Sequence, residues 1–286
     1  GKEYLNVLDF IGNYEKAGKA PLLLSGEQSF SKKESCEYQD LEYPDDCIVD
    51  FDMRLIDLFK EMDKKKLTLK MQIQQEYYRV KELLDGKRPS RMGLFTYMDD
   101  EIYRICVSGS HAKENPFQHY LDFLYELGEL SEDEQELYAG IGREFIQTIE
   151  TTEMQKVYKM PILYSFYNHG NIRLAVTDEE VLESWKEFFD TGTNWKDFPN
   201  VNTYEDYKKV TDKQHLSKAK RMPIRFLKAS GKGFFVEKDG YALALRDEIG
   251  DVVGNMAFGE QMGDVLGYRS LEYYRRRYEK KSLMLF

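Results

Sequence analysis

A mainly α fold with minor β is predicted by three features of this 286-residue chain. Apolar residues recur at helical spacing through long stretches, as in LTLKMQIQQEYYRVKELLDG and NPFQHYLDFLYELGEL. Helix-start signals stand at the heads of such runs: Ser131 with Glu134, and Thr177 with Glu180, have the spacing of a capping box. β-rich runs are few and short, and two of them flank Asp239-Gly240, a strong hairpin signal.

The elements follow in order. YLNVLDF, at residues 4–10, reads as a strand carrying Asp9 in an apolar run and closed by Gly12 and Asn13. The LLL of PLLLSG is a second short apolar stretch. Residues 27–50 are polar and read as a linker or surface loop. A helical domain is expected over 51–155. It opens with IVDFDMRL, a short strand, and the helical run DMRLIDLFKEMDKK. In the next helix Leu69, Ile73, Val80, Leu83 and Leu84 share one face, and Gly86 is a natural C-cap. Pro89 and Ser90 start another helix. NPFQHYLDFLYELGEL reads as one helix from Asn115, and SEDEQELYAGIGREFIQTIET as one helix with its acids in the first turn.

A second helical domain is expected over 156–286. A helix ends at the turn His169-Gly170-Asn171, an extended IRLAV follows, and Thr177 caps the next helix. Pro161 and Pro223, in MPILYSFYNHG and MPIRFLKASGKGFF, suit first helical turns. The two stretches resemble one another as helix–turn units. Residues 204–230 read as a basic helix or pair of helices, then the hairpin, then a terminal helix ending in EYYRRRYEKK.

Composition narrows the class. Hydrophobic residues make up 42% and charged residues 32% of the chain, enough for a sizeable core. No apolar run approaches the roughly 18–20 residues of a membrane helix, so no membrane partner is expected. No signal peptide is visible. Cys36, Cys47 and Cys106 are too few and unpatterned for a disulfide framework, which points to a reducing, cytoplasmic setting.

Charge is unevenly distributed. The chain carries −10 overall, yet residues 208–238 hold ten bases and two acids, and residues 269–281 six bases and two acids. The absences exclude much chemistry. There is no phosphate loop G-x-x-x-x-G-K-[ST], no G-x-G-x-x-G after a strand, no H-E-x-x-H, no C-x-x-C and no G-x-S-x-G. His111, His119, His169 and His215 show no ligand spacing, and acid pairs such as Asp99-Asp100 read as solvated loops. No catalytic residue, metal site or cofactor is expected in this chain.

A basic helix, a GKG turn and a hairpin stand in the order of the recognition helix and wing of a winged helix-turn-helix. The candidate contacts to nucleic-acid phosphates are Lys218, Lys220, Arg221, Arg225, Lys228 and Lys232, followed by Arg275, Arg276 and Arg277. The competing reading is a solvated helix face paired with the acidic remainder. For the second set, the competing reading packs Tyr273, Tyr274 and Tyr278 on the core while the arginines face out.

KEYLNVLDFIGNY and PLLLSG resemble the end of the second RecA-like domain of bacterial superfamily-two DEAD/DEAH-box helicases, in the restriction- and defence-associated branch with a long C-terminal domain of unknown function. KELLDGKRPSRMGLFTY, MPILYSFYNHG, KAKRMPIRFLKASGKGFF and EYYRRRYEKK look like the C-terminal extension of that branch. The resemblance implies that residues 1–26 are a remnant strand of a motor domain, beginning just after the last helicase motif. It implies that ATP and Mg²⁺ serve the parent protein and not this fragment. The chain is then a non-catalytic accessory region of an ATP-dependent DNA helicase or translocase that contacts DNA backbone. The alternative is a scaffold docking its own motor domains or a restriction/modification partner.

Overall fold

The computed structural model describes residues 67–283, with side chains through 277. The expectations for the strand at 4–10, the linker, the stretch before residue 67, Cys36 and Cys47 lie outside the described residues. The chain divides into two compact units, 1–74 and 75–286. The described residues are mainly helical, with one small three-stranded sheet.

α1 (Leu69–Leu83) buries Ile73, Glu76, Tyr77 and Val80, the i, i+3, i+4, i+7 face, whereas Leu83 stays 57% exposed and leaves the expected stripe. Its end closes with Asp85 and Gly86 in left-handed conformations, and the Gly86 N–H donates to the Lys81 carbonyl at 2.9 Å. Ser90 caps α2 (Arg91–Tyr97) by accepting from the Gly93 N–H, and Asp99 caps α3 (Asp100–Cys106).

Two expected helices are each broken in two. The run from Asn115 is a short 3-10 turn (Pro116–Gln118) and then α4 (Tyr120–Leu127). His119 leaves the helical conformation between them, its Nδ1 2.8 Å from Gln147 Nε2, while the Tyr120 N–H donates to the Glu150 carboxylate. The run from Ser131 divides into α5 (Glu132–Ala139) and α6 (Ile141–Thr151) at the extended Gly140. There Leu137 fills the space a side chain on Gly142 would need. The capping box of Ser131 and Glu134 forms as expected.

α7 (Lys159–Tyr167) carries Pro161 in its first turn. After a left-handed turn come β1 (Ala175–Val176) and α8 (Asp178–Asp190), which opens on the capping box of Thr177 and Glu180. α9 (Tyr204–Lys208) precedes α10 (Asp212–Ala219), which runs through a wide π turn (Lys220–Ile224) into α11 (Arg225–Ser230). Pro223 therefore lies inside a continuous helical path and starts no new helix. The ring cannot donate the usual i→i−4 bond, and the widened turn absorbs the loss.

β2 (Phe235–Val236) and β3 (Leu243–Leu245) form the expected hairpin around Gly240, which is left-handed. β3 lies between β1 and β2, both antiparallel to it. α12 (Met256–Leu283) packs on α2, α5, α6 and α7. One apolar core runs from Leu121 to Tyr273, across position 155, and is rich in aromatic rings such as Phe145, Phe166, Trp185, Phe189, Phe234 and Phe258.

Gly231 closes α11 where no side chain fits. A Cβ there would lie 2.5 Å from the Leu227 carbonyl oxygen and 2.3 Å from the Phe235 ring. Backbone cannot yield as a side chain does, so Gly231→Ala is expected to cost about 1–3 kcal/mol despite the better helix propensity of alanine. Thermal unfolding of the variant measures it.

Candidate nucleic-acid interface

The helical path from α10 to the hairpin carries the first six candidate cations on one segment. Their surroundings separate them. Arg221, Arg225 and Lys232 are exposed, with no carboxylate in ion-pair reach among the described residues. Lys220 pairs with Asp178 at 2.6 Å and Lys228 with Glu237. Both pairs are at the surface, where such contacts contribute little and exchange readily for a phosphate. Lys218 is half-buried, its ammonium 5.1 Å from the centre of the Tyr158 ring. Burial, with Arg221 and Lys156 nearby, holds the Lys218 pKa below the usual lysine value.

The π turn sets the spacing of this ridge. Arg221 and Arg225 stand four apart and lie on one side, as do Met222 and Phe226, which are 39% and 49% exposed. Lys232 follows with φ +49, in the left-handed region that an L-residue enters only under constraint. It stands at the turn into the hairpin.

Arg275, Arg276 and Arg277 are otherwise engaged. Arg275 pairs with Asp100 at 2.7 Å and lies over the rings of Phe95 and Tyr103. Arg276 holds Glu272, one turn before it on the same helix. Arg277 faces the buried Asp197 carboxylate. Tyr273 is buried and Tyr274 half-buried, as the inward-packing reading expects for these two, while the Tyr278 side chain lies outside the described residues. Arg275 and Arg277 are half-buried against acids of the fold, and Arg276 is exposed. The spacing of YYRRRY shows charge without showing which acids a distant loop brings to it.

A cleft of about 780 Å³ adjoins the ridge, lined by Phe198, Val201, Lys209, Lys213, Lys218 and Arg221. Lys209 is paired with Asp206, whereas Lys213 is exposed with no carboxylate beside it among the described residues. Lys213 belongs with Lys218 and Arg221 as a cation of this cleft, and its place eight residues before Arg221 on one helical path is the signal for it.

Under the cleft, His215 is buried between Phe198 and Tyr207, and its Nδ1 has no hydrogen-bond partner. Burial, reinforced by Lys186 and opposed by Asp212 and Asp190, depresses its pKa below the ordinary histidine value. A depressed folded-state pKa means that this contribution to stability is full above the unfolded pKa of about 6.5 and is lost as pH falls through the folded value. The melting temperature should therefore fall between pH 7 and pH 5, and His215→Leu should flatten that dependence.

A second polar assembly is enclosed by the fold. Arg88 holds Glu134, Gln261 Nε2 donates to Glu134 at 2.6 Å, and Gln261 Oε1 accepts from Arg91. Arg91 also donates to Glu150 and Asp264. Burial opposes its charge, yet Glu150 and Asp264 keep the guanidinium pKa above its usual value. The carboxylates here are taken up by arginines, Gln261 and backbone N–H groups, so this is a structural network. The Cys106 thiol is buried and its pKa is pushed up to about 12, unsuited to nucleophilic chemistry. Among the described residues no group of three His, Cys, Asp or Glu side chains is placed to hold a metal, and no helix is long and apolar enough to cross a membrane. No protein-family model matches this chain, and neither a curated protein nor a solved structure gives a significant match to it.

Proposed function

We propose that this chain is the non-catalytic C-terminal accessory region of a cytoplasmic, ATP-dependent DNA helicase or translocase, and that it grips the DNA backbone through the ridge from Lys213 to Lys232. The observation that carries this reading is the set of exposed cations without acidic partners among the described residues, Arg221, Arg225 and Lys232, on a helix that leads into a hairpin. The element order supports a winged-helix arrangement. α7, β1, α8, the short α9, the α10–α11 path and the β2–β3 hairpin follow one another, with β3 between β1 and β2. In that arrangement the α10–α11 path is the recognition helix, and the turn at Lys232 opens the wing. The motor domains of the parent protein would supply the ATP and Mg²⁺ chemistry.

Five cations (Lys213, Lys218, Arg221, Arg225 and Lys232) predict a log–log salt slope of about −4 to −5 on duplex DNA. Fluorescence anisotropy with a labelled duplex across a salt series tests this. No binding at low salt overturns it.

The exposed Met222 and Phe226 favour one second reading, a scaffold that docks its own motor domains or a restriction/modification partner. Apolar side chains on a charged ridge suit a protein interface. On that reading Phe226→Ala abolishes capture of the partner, and salt has little effect.

A further inference from the structure

Sharing no lining residue with the cleft beside the basic ridge, a cleft of about 540 Å³ opens between the end of α7, the turn after it, α8 and α12. That volume suits a small ligand or a side chain with some backbone. Three aromatic rings, Tyr164, Tyr167 and Phe188, contribute to its walls, with Tyr164 6.2 Å and 6.1 Å from the other two, centroid to centroid. α12 is shaped for it: Gly263 lies under Tyr167, whose hydroxyl would be 2.5 Å from a Cβ there.

The hydrogen-bonding groups of the cleft are lopsided. Its donors are largely spent within the fold. Arg173 serves Glu180 and the Ser165 carbonyl, Ser184 donates to the Pro161 carbonyl, and Ser270 to the Leu266 carbonyl. The amide groups of Asn168 and Asn194 donate to the Asn171 and Phe188 carbonyls, leaving their Oδ1 atoms as acceptors. Glu183 is exposed at the rim and forms no ion pair among the described residues; Glu187 meets only His169, at 3.7 Å. Besides the Tyr167 hydroxyl and the exposed His169 ring, open acceptors, carboxylates and π faces are what remain. A ligand that fits them must bring donors and positive charge.

We infer that this cleft is a receptor for a lysine or arginine side chain presented by an extended peptide segment of a partner protein. The cation lies over the Tyr164, Tyr167 and Phe188 rings, where ring faces attract it. Glu183 and Glu187 take its N–H groups, and the Asn168 and Asn194 oxygens accept from the peptide backbone. A peptide, in preference to a free polyamine, uses the two amide oxygens as well as the carboxylates.

The test is ¹H–¹⁵N NMR titration of the full chain with the blocked peptides acetyl-Gly-Gly-Arg-Gly-Gly-amide and its lysine and norleucine counterparts, with spermidine as a separate arm. The expected result is saturable shifts at Tyr164, Tyr167, Phe188 and Leu271 with the arginine and lysine peptides. Glu183→Gln with Glu187→Gln should weaken them about tenfold or more, and added salt should weaken them further. Both sites are exposed, so the variant keeps its fold and its spectrum elsewhere. Gly263→Ala, which drives the Tyr167 ring toward the cleft, should weaken binding without removing either carboxylate. Equal binding of the norleucine peptide, equal or tighter binding of spermidine, or shifts outside the cleft would each overturn the assignment, as would no shifts. DNA binding by the basic ridge is unaffected by these variants, so the two readings fail separately.

Discussion

Replacing Arg91 with Met is expected to lower the stability of the chain by about 3–5 kcal/mol, the range for removing one partner of a buried ion pair. Arg91 is fully buried, and its guanidinium bonds Glu150 Oε1 at 2.9 Å, Gln261 Oε1 at 2.5 Å and Asp264 Oδ2 at 3.1 Å. It also lies 4.6 Å from the centre of the Tyr120 ring. A methionine fills much of the volume but leaves Glu150 buried beside an apolar group. Asp264 retains the Arg91 and Met92 backbone N–H groups it caps, so the loss falls mainly on Glu150 and Gln261. Urea unfolding should show a lower midpoint at unchanged slope. Adding Glu150→Gln should restore part of the loss, because it removes the stranded charge, and the double-mutant cycle reads their coupling. A loss below about 1 kcal/mol would show that water or rearrangement rescues the carboxylate.

The second large effect separates the two sets of candidate cations. Changing Arg221, Arg225 and Lys232 to Glu should weaken duplex binding about a hundredfold at low salt and reduce the salt slope to about −2, since three phosphate contacts are lost. Melting should barely change, because these side chains are exposed and without acidic partners among the described residues. Changing Arg275 and Arg277 to Glu should do the reverse. DNA affinity changes little, while stability falls, because each then opposes the acid it held, Asp100 and the buried Asp197. If the triple and the double variant weaken DNA binding equally, the ridge is no special contact and the proposed interface is wrong. Anisotropy and thermal melting on the same samples distinguish these outcomes.

Local signals in the sequence proved dependable where the physics is local. The capping boxes at Ser131 and Thr177, the cap at Ser90 and the left-handed closure at Gly86 each involve groups within a few residues, so neighbouring side chains suffice to specify them. The Asp239-Gly240 hairpin belongs to the same class. The helix from Asn115 and the helix from Ser131 were legible as helical but not as broken. His119 leaves the helix to meet Gln147, a contact that depends on how α6 folds back, and the chain breaks at the extended Gly140, after which Gly142 leaves room for Leu137. Pro223 reads as a helix start because propensity scores the missing N–H. Whether a π turn accommodates it depends on the packing of Ile224 and Leu227 into the core.

The candidate interface divides along the same line. Excess positive charge over residues 208–238 is a property of composition, and so is the absence of nucleotide- and metal-binding motifs. By itself, the amino-acid order determined the helical class, the helix caps, the hairpin and the location of positive charge along the chain, because each depends on residues close in sequence. Tertiary structure decided which charges are spent. Asp178, Glu237, Asp100 and Asp197 come from remote segments or the far strand of a turn to meet Lys220, Lys228, Arg275 and Arg277, while Arg221, Arg225 and Lys232 find no such partner among the described residues. Coulomb attraction falls with distance in space and takes no account of distance along the chain, so only the folded arrangement could separate a cation that holds the fold from one left to hold a ligand.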